Sequence, residues 1–243
     1  MKNQNDKKDP FLKLDWDTKT FGYPVYKISN FDSPDQLKEI LKQIRQKKGK
    51  LAYVSLDFED FIRNKTISEN GGIFVDEKII FVKNIGEETY VEDSKIISYL
   101  GHKLNQNLIQ LAFQSGEYSR FKMDKNFKSH EFEKLYKKWM ENSLKRIIAK
   151  EVLVYVEGNV ELGVVTVGEK SGKADIEILA VDKNFRGKSI GTKLVNSAFS
   201  LTKKWGFDQI QVATQRKNEI ACRFYESLGF KIEKTENIYH FWL

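Results

Sequence analysis

The stretch Val181-Asp-Lys-Asn-Phe-Arg-Gly-Lys-Ser-Ile-Gly191 follows a β-rich run, Ala174-Asp-Ile-Glu-Ile-Leu-Ala-Val181. It opens a segment in which Ile190, Leu194, Val195 and Ala198 share one helical face. The pattern is strand, glycine-bearing turn, helix. Such a turn points several unpaired N–H groups one way, with the helix dipole behind them. Gly187 and Gly191 let the backbone approach a ligand without a Cβ in the way. This is a candidate pyrophosphate cradle. The dinucleotide spacing G-x-G-x-x-G is absent. A Walker loop using Gly187-Lys-Ser189 would need glycine at position 182, which is Asp182. The near-match from Gly163 to Gly168 continues into Glu169, where a lysine would have to reach phosphate. Both ATP readings fail.

Upstream, Val152-Leu-Val-Tyr-Val156 and Leu162-Gly-Val-Val-Thr-Val167 read as strands joined across the hairpin signal Glu157-Gly158-Asn159. Ser171-Gly172 separates them from the third strand. Before these, Glu131 to Leu144 puts Phe132, Leu135, Tyr136 and Trp139 on one helical face. Downstream come a strand (209–214), a helix (218–228) and two terminal strands, about Phe230-Lys-Ile232 and Tyr239-His-Phe-Trp-Leu243. The order predicts an α/β class with a mixed (α+β) sheet. Toward the start, Leu37, Ile40, Leu41 and Ile44 predict a helix capped near Ser33 or Asp35. Leu51–Leu56 and Ile79–Lys83 read as strands, with the turn signal Asn70-Gly71-Gly72 between them. The character changes near Gly116. This predicts a smaller α/β half over 1–116 and a second over 117–243, with one continuous sheet open to both.

The 243 residues are 40% hydrophobic and 31% charged, enough apolar material for a core and too much for a disordered chain. No apolar run approaches the roughly 18 to 20 residues that span a bilayer. The start, Met1 to Lys8, is charged with no apolar segment behind it, so no signal peptide and a cytoplasmic location are expected. Cys222 is the only cysteine, which excludes an internal disulfide and a cysteine zinc site. His102, His130 and His240 are too scattered for metal spacing, and no metal is expected. Residues 1–116 hold 18 basic and 17 acidic side chains, and 117–243 hold 23 and 17, so the net charges are +1 and +6. The basic half suits an anionic ligand, but no Arg-rich tract or RNP-like motif supports nucleic acid.

Residues 131–243 resemble the GNAT superfamily of CoA-dependent N-acyltransferases. Its loop pattern, Q/R-x-x-G-x-G/A, would run as Arg186, Gly187, Lys188, Ser189, Ile190, Gly191, with Ser189 where the pattern has glycine. Ser189 could instead cap the helix or offer its hydroxyl to a phosphate. The pattern Asn-x-x-Ala…Phe-Tyr-x-x-x-Gly-Phe is intact at Asn218, Ala221, Phe224, Tyr225, Gly229 and Phe230. Leu14 to Gly22 and Ala112 to Asp124 resemble the two-part subfamily typified by TDP-fucosamine acetyltransferase, which acylates an amine on a nucleotide-linked deoxy sugar.

The resemblance implies a GNAT fold in the C-terminal half, acetyl-CoA or another acyl-CoA as co-substrate, and a nucleotide-linked amino sugar (dTDP- or UDP-linked) as acceptor. The product would enter a bacterial surface glycan. Residues 1–116 would help build the acceptor pocket; neither nucleic acid nor membrane insertion is implied, and a homo-oligomer is compatible. By the same resemblance, Leu179 and Val181 give backbone groups to the pantetheine arm, and the Leu179 N–H is the oxyanion donor. Arg186, Gly187, Lys188, Ser189, Ile190, Gly191 and Thr192 hold the diphosphate, and Asn218 touches the arm or caps its helix. Tyr225 is the general acid for the departing thiolate, with a core aromatic as the alternative. Glu177 shares a strand face with Leu179 and could take the amine proton, or be a solvated carboxylate. His240 is a second candidate base, though a lone His among aromatics is more often structural. On the acceptor side, Arg120 suits a diphosphate or pairs with Glu117 or Asp124. Tyr118, Phe21 and Gly22 would line the sugar pocket. Two other readings stay open: a GNAT enzyme acting on a protein N-terminus, polyamine or drug amine, and a non-catalytic acyl-CoA-binding module.

Overall fold

The computed structural model describes residues 9–90 and 93–243; the charged start, Met1 to Lys8, lies outside them. The chain packs as two compact units, one of residues up to Lys78 with Thr235–Leu243, the other of Ile79–Lys234. Gly116 falls inside the second unit.

The first unit takes in β1 (Phe11–Lys13), α1 (Asp15–Phe21), β2 (Val25–Ile28), α2 (Pro34–Gln46), β3 (Leu51–Asp57), α3 (Phe61–Glu69) and the start of β4 (Ile73–Asn84). β1 pairs antiparallel with β2, and β2 runs parallel to β3. Helix α2 forms where its apolar spacing predicts: Ser33 caps it through the Gln36 N–H, and Pro34 fills its first position. Leu37, Ile40, Leu41 and Ile44 are all buried against Tyr26, Ile28, Val54 and Leu56. Each such side chain contributes roughly 1.5–3 kcal/mol. The two predicted terminal strands are one, β10 (Lys231–Trp242). Within this unit it pairs antiparallel with β3 from Glu236↔Asp57 to Trp242↔Leu51.

The second unit contains β5 (Ile96–Ser98), α4 (Gln106–Ser115), α5 (Arg120–Met123), α6 (Ser129–Leu144), β6 (Glu151–Glu157), β7 (Val160–Lys170), β8 (Lys173–Val181), α7 (Ile190–Lys204), β9 (Gln209–Gln215) and α8 (Glu219–Ser227). Its strands lie in the order β4-β9-β8-β7-β6-β5. The mixed α/β class predicted from element order is the one observed. Both hairpins of the β6–β7–β8 meander turn on two residues with positive φ, Gly158 and Asn159 (56° and 67°), then Ser171 and Gly172 (54° and 76°). That is the turn whose twist matches paired strands. Ile190, Leu194, Val195 and Ala198 of α7 are buried with Val165, Ile176 and Val212.

Candidate active site

β8 carries the centre of the site. Ala174, Ile176, Ile178 and Ala180 are buried, while Asp175, Glu177, Leu179 and Val181 make up a half-buried face. Opposite β7 the register is Val167↔Ile176 and then Thr166↔Ile178, so Glu177 is the extra residue of a β-bulge. The Ile178 N–H donates to the Thr166 hydroxyl at 3.0 Å. On its other side β8 pairs parallel with β9 only over Ala174↔Ile210 to Ile176↔Val212. β8 continues to Val181 and β9 to Gln215 without that ladder. Backbone groups from Glu177 to Val181 therefore face a gap between two strands, and could hold an amide-bearing arm laid into it.

The loop beyond Val181 is fixed by short bonds. The Asp182 carboxylate accepts from the Asn184 N–H at 2.9 Å. Arg186 Nε turns back to the Val181 carbonyl at 3.1 Å. Gln114 of α4 accepts from both the Lys183 N–H (2.9 Å) and Arg186 Nη2 (3.4 Å), a brace that sequence reasoning missed. Gly187 and Ser189 both have positive φ, 78° and 58°. Ser189 thus adopts the left-handed backbone that glycine would favour at its place in the motif. It stands at the N-cap of α7, but its side chain makes no capping bond, so capping by the hydroxyl is not realised. The site of Gly187's missing Cβ is open space. At Gly191 a Cβ would come within 3.3 Å of the Phe224 ring, so this glycine serves the packing of α7 on α8. The N–H groups of Ile190, Gly191 and Thr192 start the helix and could receive a phosphate. Lys188 lies over the Phe185 ring at 4.9 Å.

α8 borders this region. Asn218 caps it, accepting from the Ala221 N–H at 3.2 Å. Tyr225 is 5% exposed, with its ring against Phe81, Phe224 and Phe230. Burial pushes its hydroxyl pKa well up, so it stays protonated at working pH. Burial likewise raises the Cys222 thiol, which lies 3.6 Å from the Gln215 carbonyl and reads as packing. Burial raises Glu177 to about 7. Asp175 adds to the rise, while the Trp139 indole and Lys170 oppose it. The Trp139 N–H donates to Glu177 at 3.3 Å.

Leu179, Val181, Ile190, Phe224 and Tyr225 belong to one apolar cluster, so strand end, helix start and α8 come together. Arg120 starts α5, its guanidinium 4.7 Å from the Phe121 ring, and Tyr118 is exposed just before it. Phe21, Gly22 and His240 belong to the first unit. Phe21 stacks on Tyr23, and Gly22, at φ 83°, ends α1. His240 is fully buried, 4.9 Å from the Tyr53 ring, in keeping with a structural histidine. Among the described residues, no group of His, Cys, Asp and Glu could hold a metal ion, and no helix is long and apolar enough to cross a membrane.

Residues 122–230 match the Acetyltransferase (GNAT) family. The match covers a little under half of the chain and is a likeness to that family over this stretch. A likeness of fold extends beyond it: the structure of a GCN5-related N-acetyltransferase from Sphaerobacter thermophilus superimposes with a TM-score of 0.61 at 12% identity, over 95% of this chain and 75% of that one. The spore coat polysaccharide biosynthesis protein SpsD of Bacillus subtilis is 24% identical over 135 residues, 56% of this chain and 46% of SpsD. The N-alpha-acetyltransferase 30 of Schizosaccharomyces pombe is 37% identical over 68 residues, 28% of this chain and 44% of that protein. The chain thus spans less than half the length of these curated relatives.

Proposed function

We propose that this chain is an acyl-CoA-dependent N-acyltransferase that acylates the amine of a nucleotide-linked amino deoxysugar. The observation that carries the transferase reading is the end of the β8–β9 ladder at Ile176↔Val212, just before the positive-φ loop at 187–189. An extended arm fits the gap, and a diphosphate fits the helix start. Leu179 and Val181 would hold the arm, Arg186 to Thr192 the diphosphate, and Asn218 the arm where α8 begins. The acyl-CoA supplies an activated thioester.

The chain's own residues then have three tasks. The Leu179 N–H stabilises negative charge developing on the acyl oxygen. Glu177 takes one proton from the acceptor ammonium and passes it to water. As the C–N bond forms and the C–S bond breaks, Tyr225 gives its proton to sulfur, and the nitrogen's second proton restores Tyr225 through solvent. A thiol has a reference pKa of about 8.5, so the donor assists a leaving group that is already fair. Arg120 and Tyr118 are proposed for the acceptor side, and the guanidinium suits a sugar diphosphate.

The likeness to SpsD, named for polysaccharide biosynthesis, supports a sugar acceptor. A second reading, a protein N-terminal amine, rests on the likeness to N-alpha-acetyltransferase 30. Free-thiol release from acetyl-CoA separates them, with dTDP- and UDP-linked 3-amino and 4-amino deoxysugars, a peptide amine and spermidine as acceptors. Turnover confined to one nucleotide sugar is the expected result. Turnover on peptide or spermidine discards the sugar, and tight acetyl-CoA binding without turnover, persisting with longer acyl-CoAs, favours a binding module.

A further inference from the structure

We infer that Trp139 is a positioning residue, its indole N–H holding the Glu177 carboxyl on the β8 bulge in the orientation from which it accepts a proton. The inference rests on the reading of Glu177 as the amine's proton acceptor. A bulge residue has no cross-strand partner to fix its side chain, so something else must. Three observations supply it. Trp139 Nε1 lies 3.3 Å from Glu177 Oε2. The other carboxyl oxygen, Oε1, occupies room left by Gly168 of β7, where a Cβ would stand 3.3 Å away. The bulge itself is pinned by the Ile178 N–H on Thr166 Oγ1, a buried hydroxyl. Indole and glycine thus flank the carboxyl from two elements, α6 and β7, while the threonine holds the backbone next to it.

The electrostatics agree with this geometry. The charged groups acting on Glu177 are Asp175, which disfavours its ionised form, and Lys170, which favours it. Burial disfavours it most, and the Trp139 N–H opposes that effect by bonding the carboxylate. An indole N–H cannot be deprotonated in this pH range, so the bond persists through the titration. Removing it should make the carboxyl harder to ionise and move its titration to higher pH.

The test is Trp139→Phe in the full chain, which keeps an aromatic ring and loses the donor. The acidic limb of kcat/KM should move up by about one pH unit, the size of one hydrogen bond to a charged group. Glu177→Gln should abolish that limb. An infrared titration of the Glu177 carboxyl, identified by subtracting the Glu177→Gln spectrum, should shift the same way without any acyl-CoA present. An unmoved infrared midpoint in Trp139→Phe overturns the inference. If the limb survives in Glu177→Gln, the base assignment fails instead, and the infrared midpoint alone decides whether Trp139 holds the carboxyl. Should Trp139→Phe not fold, the otherwise unaltered chain labelled with 5-fluorotryptophan replaces it. One of four fluorine resonances should then titrate with Glu177 and cease to do so in Glu177→Gln. No titrating resonance refutes the contact.

Discussion

The two halves of β8 share one alternation and do different work. From Ala174 to Ile176 the strand is paired on both sides, to β7 and to β9. From Glu177 to Val181 the β9 ladder has stopped, and the backbone facing that side is left for something else. The buried face runs through both halves unchanged, as Ile176, Ile178 and Ala180. A strand's core side can therefore be conventional while its edge changes from paired to unpaired within one residue. That residue is the bulge.

Substitutions in each half should separate stability from activity. Ile176→Ala, in the doubly paired half, should cost about 3 kcal/mol and lower the thermal midpoint, leaving kcat of the folded fraction unchanged. A loss of kcat at constant stability would erase the distinction. Glu177→Gln should do the reverse to stability. A carboxyl whose folded pKa stands near 7, above its unfolded value of 4.5, is penalised in the folded state as pH rises between the two. The variant should thus gain stability over the wild type at pH 8 but little at pH 4, by about 2 kcal/mol once partial exposure is discounted. An equal effect at both pH values would mean that the carboxyl titrates normally.

Tyr225→Phe should lower kcat roughly tenfold with acyl-CoA affinity unchanged, because the hydroxyl acts on the leaving group. An unaltered kcat would return Tyr225 to the aromatic core around Phe81 and Phe230. Ser189→Gly should have the smallest effect, a gain of at most about 1 kcal/mol from relieving the left-handed backbone, partly offset by a freer unfolded chain. A fall in acyl-CoA affinity would instead assign the hydroxyl to a phosphate.

Much of this architecture was legible because its signals are local. The helical spacing of α2 and α7, the turns at Gly158-Asn159 and Ser171-Gly172, and the cap at Asn218 all declare themselves within a few residues. Helix α3 does not: it exposes Phe61 and Ile62 and buries Asn64 and Thr66 beside Ile67, so no apolar stripe marks it. β10 reads as two strands in the sequence because Glu233, Lys234 and Glu236 look like a break. At the site, the glycines and Tyr225 stood out by motif. Gln114 did not, since it acts on a loop some 70 residues away. In the sequence Trp139 is one more aromatic on a helix face, because only the fold brings Glu177 beneath its N–H. The β8–β9 gap is not legible, as a ladder's end leaves no mark in the sequence; the resemblance implies only that Leu179 and Val181 give backbone groups to an arm.

The pairing of β3 with β10 has a kinetic side. The β6–β7–β8 meander joins neighbours through two-residue turns, contacts of the kind that form in microseconds. β3 must wait for a partner about 180 residues later in the chain. During synthesis at about 5–20 residues per second, that delay is on the order of 10 to 40 seconds. Throughout it, Ala52, Val54 and Leu56 lie on a strand whose β10 side is unpaired, the condition under which strands find wrong partners. The first unit thus completes its sheet only after the end of the chain has been made.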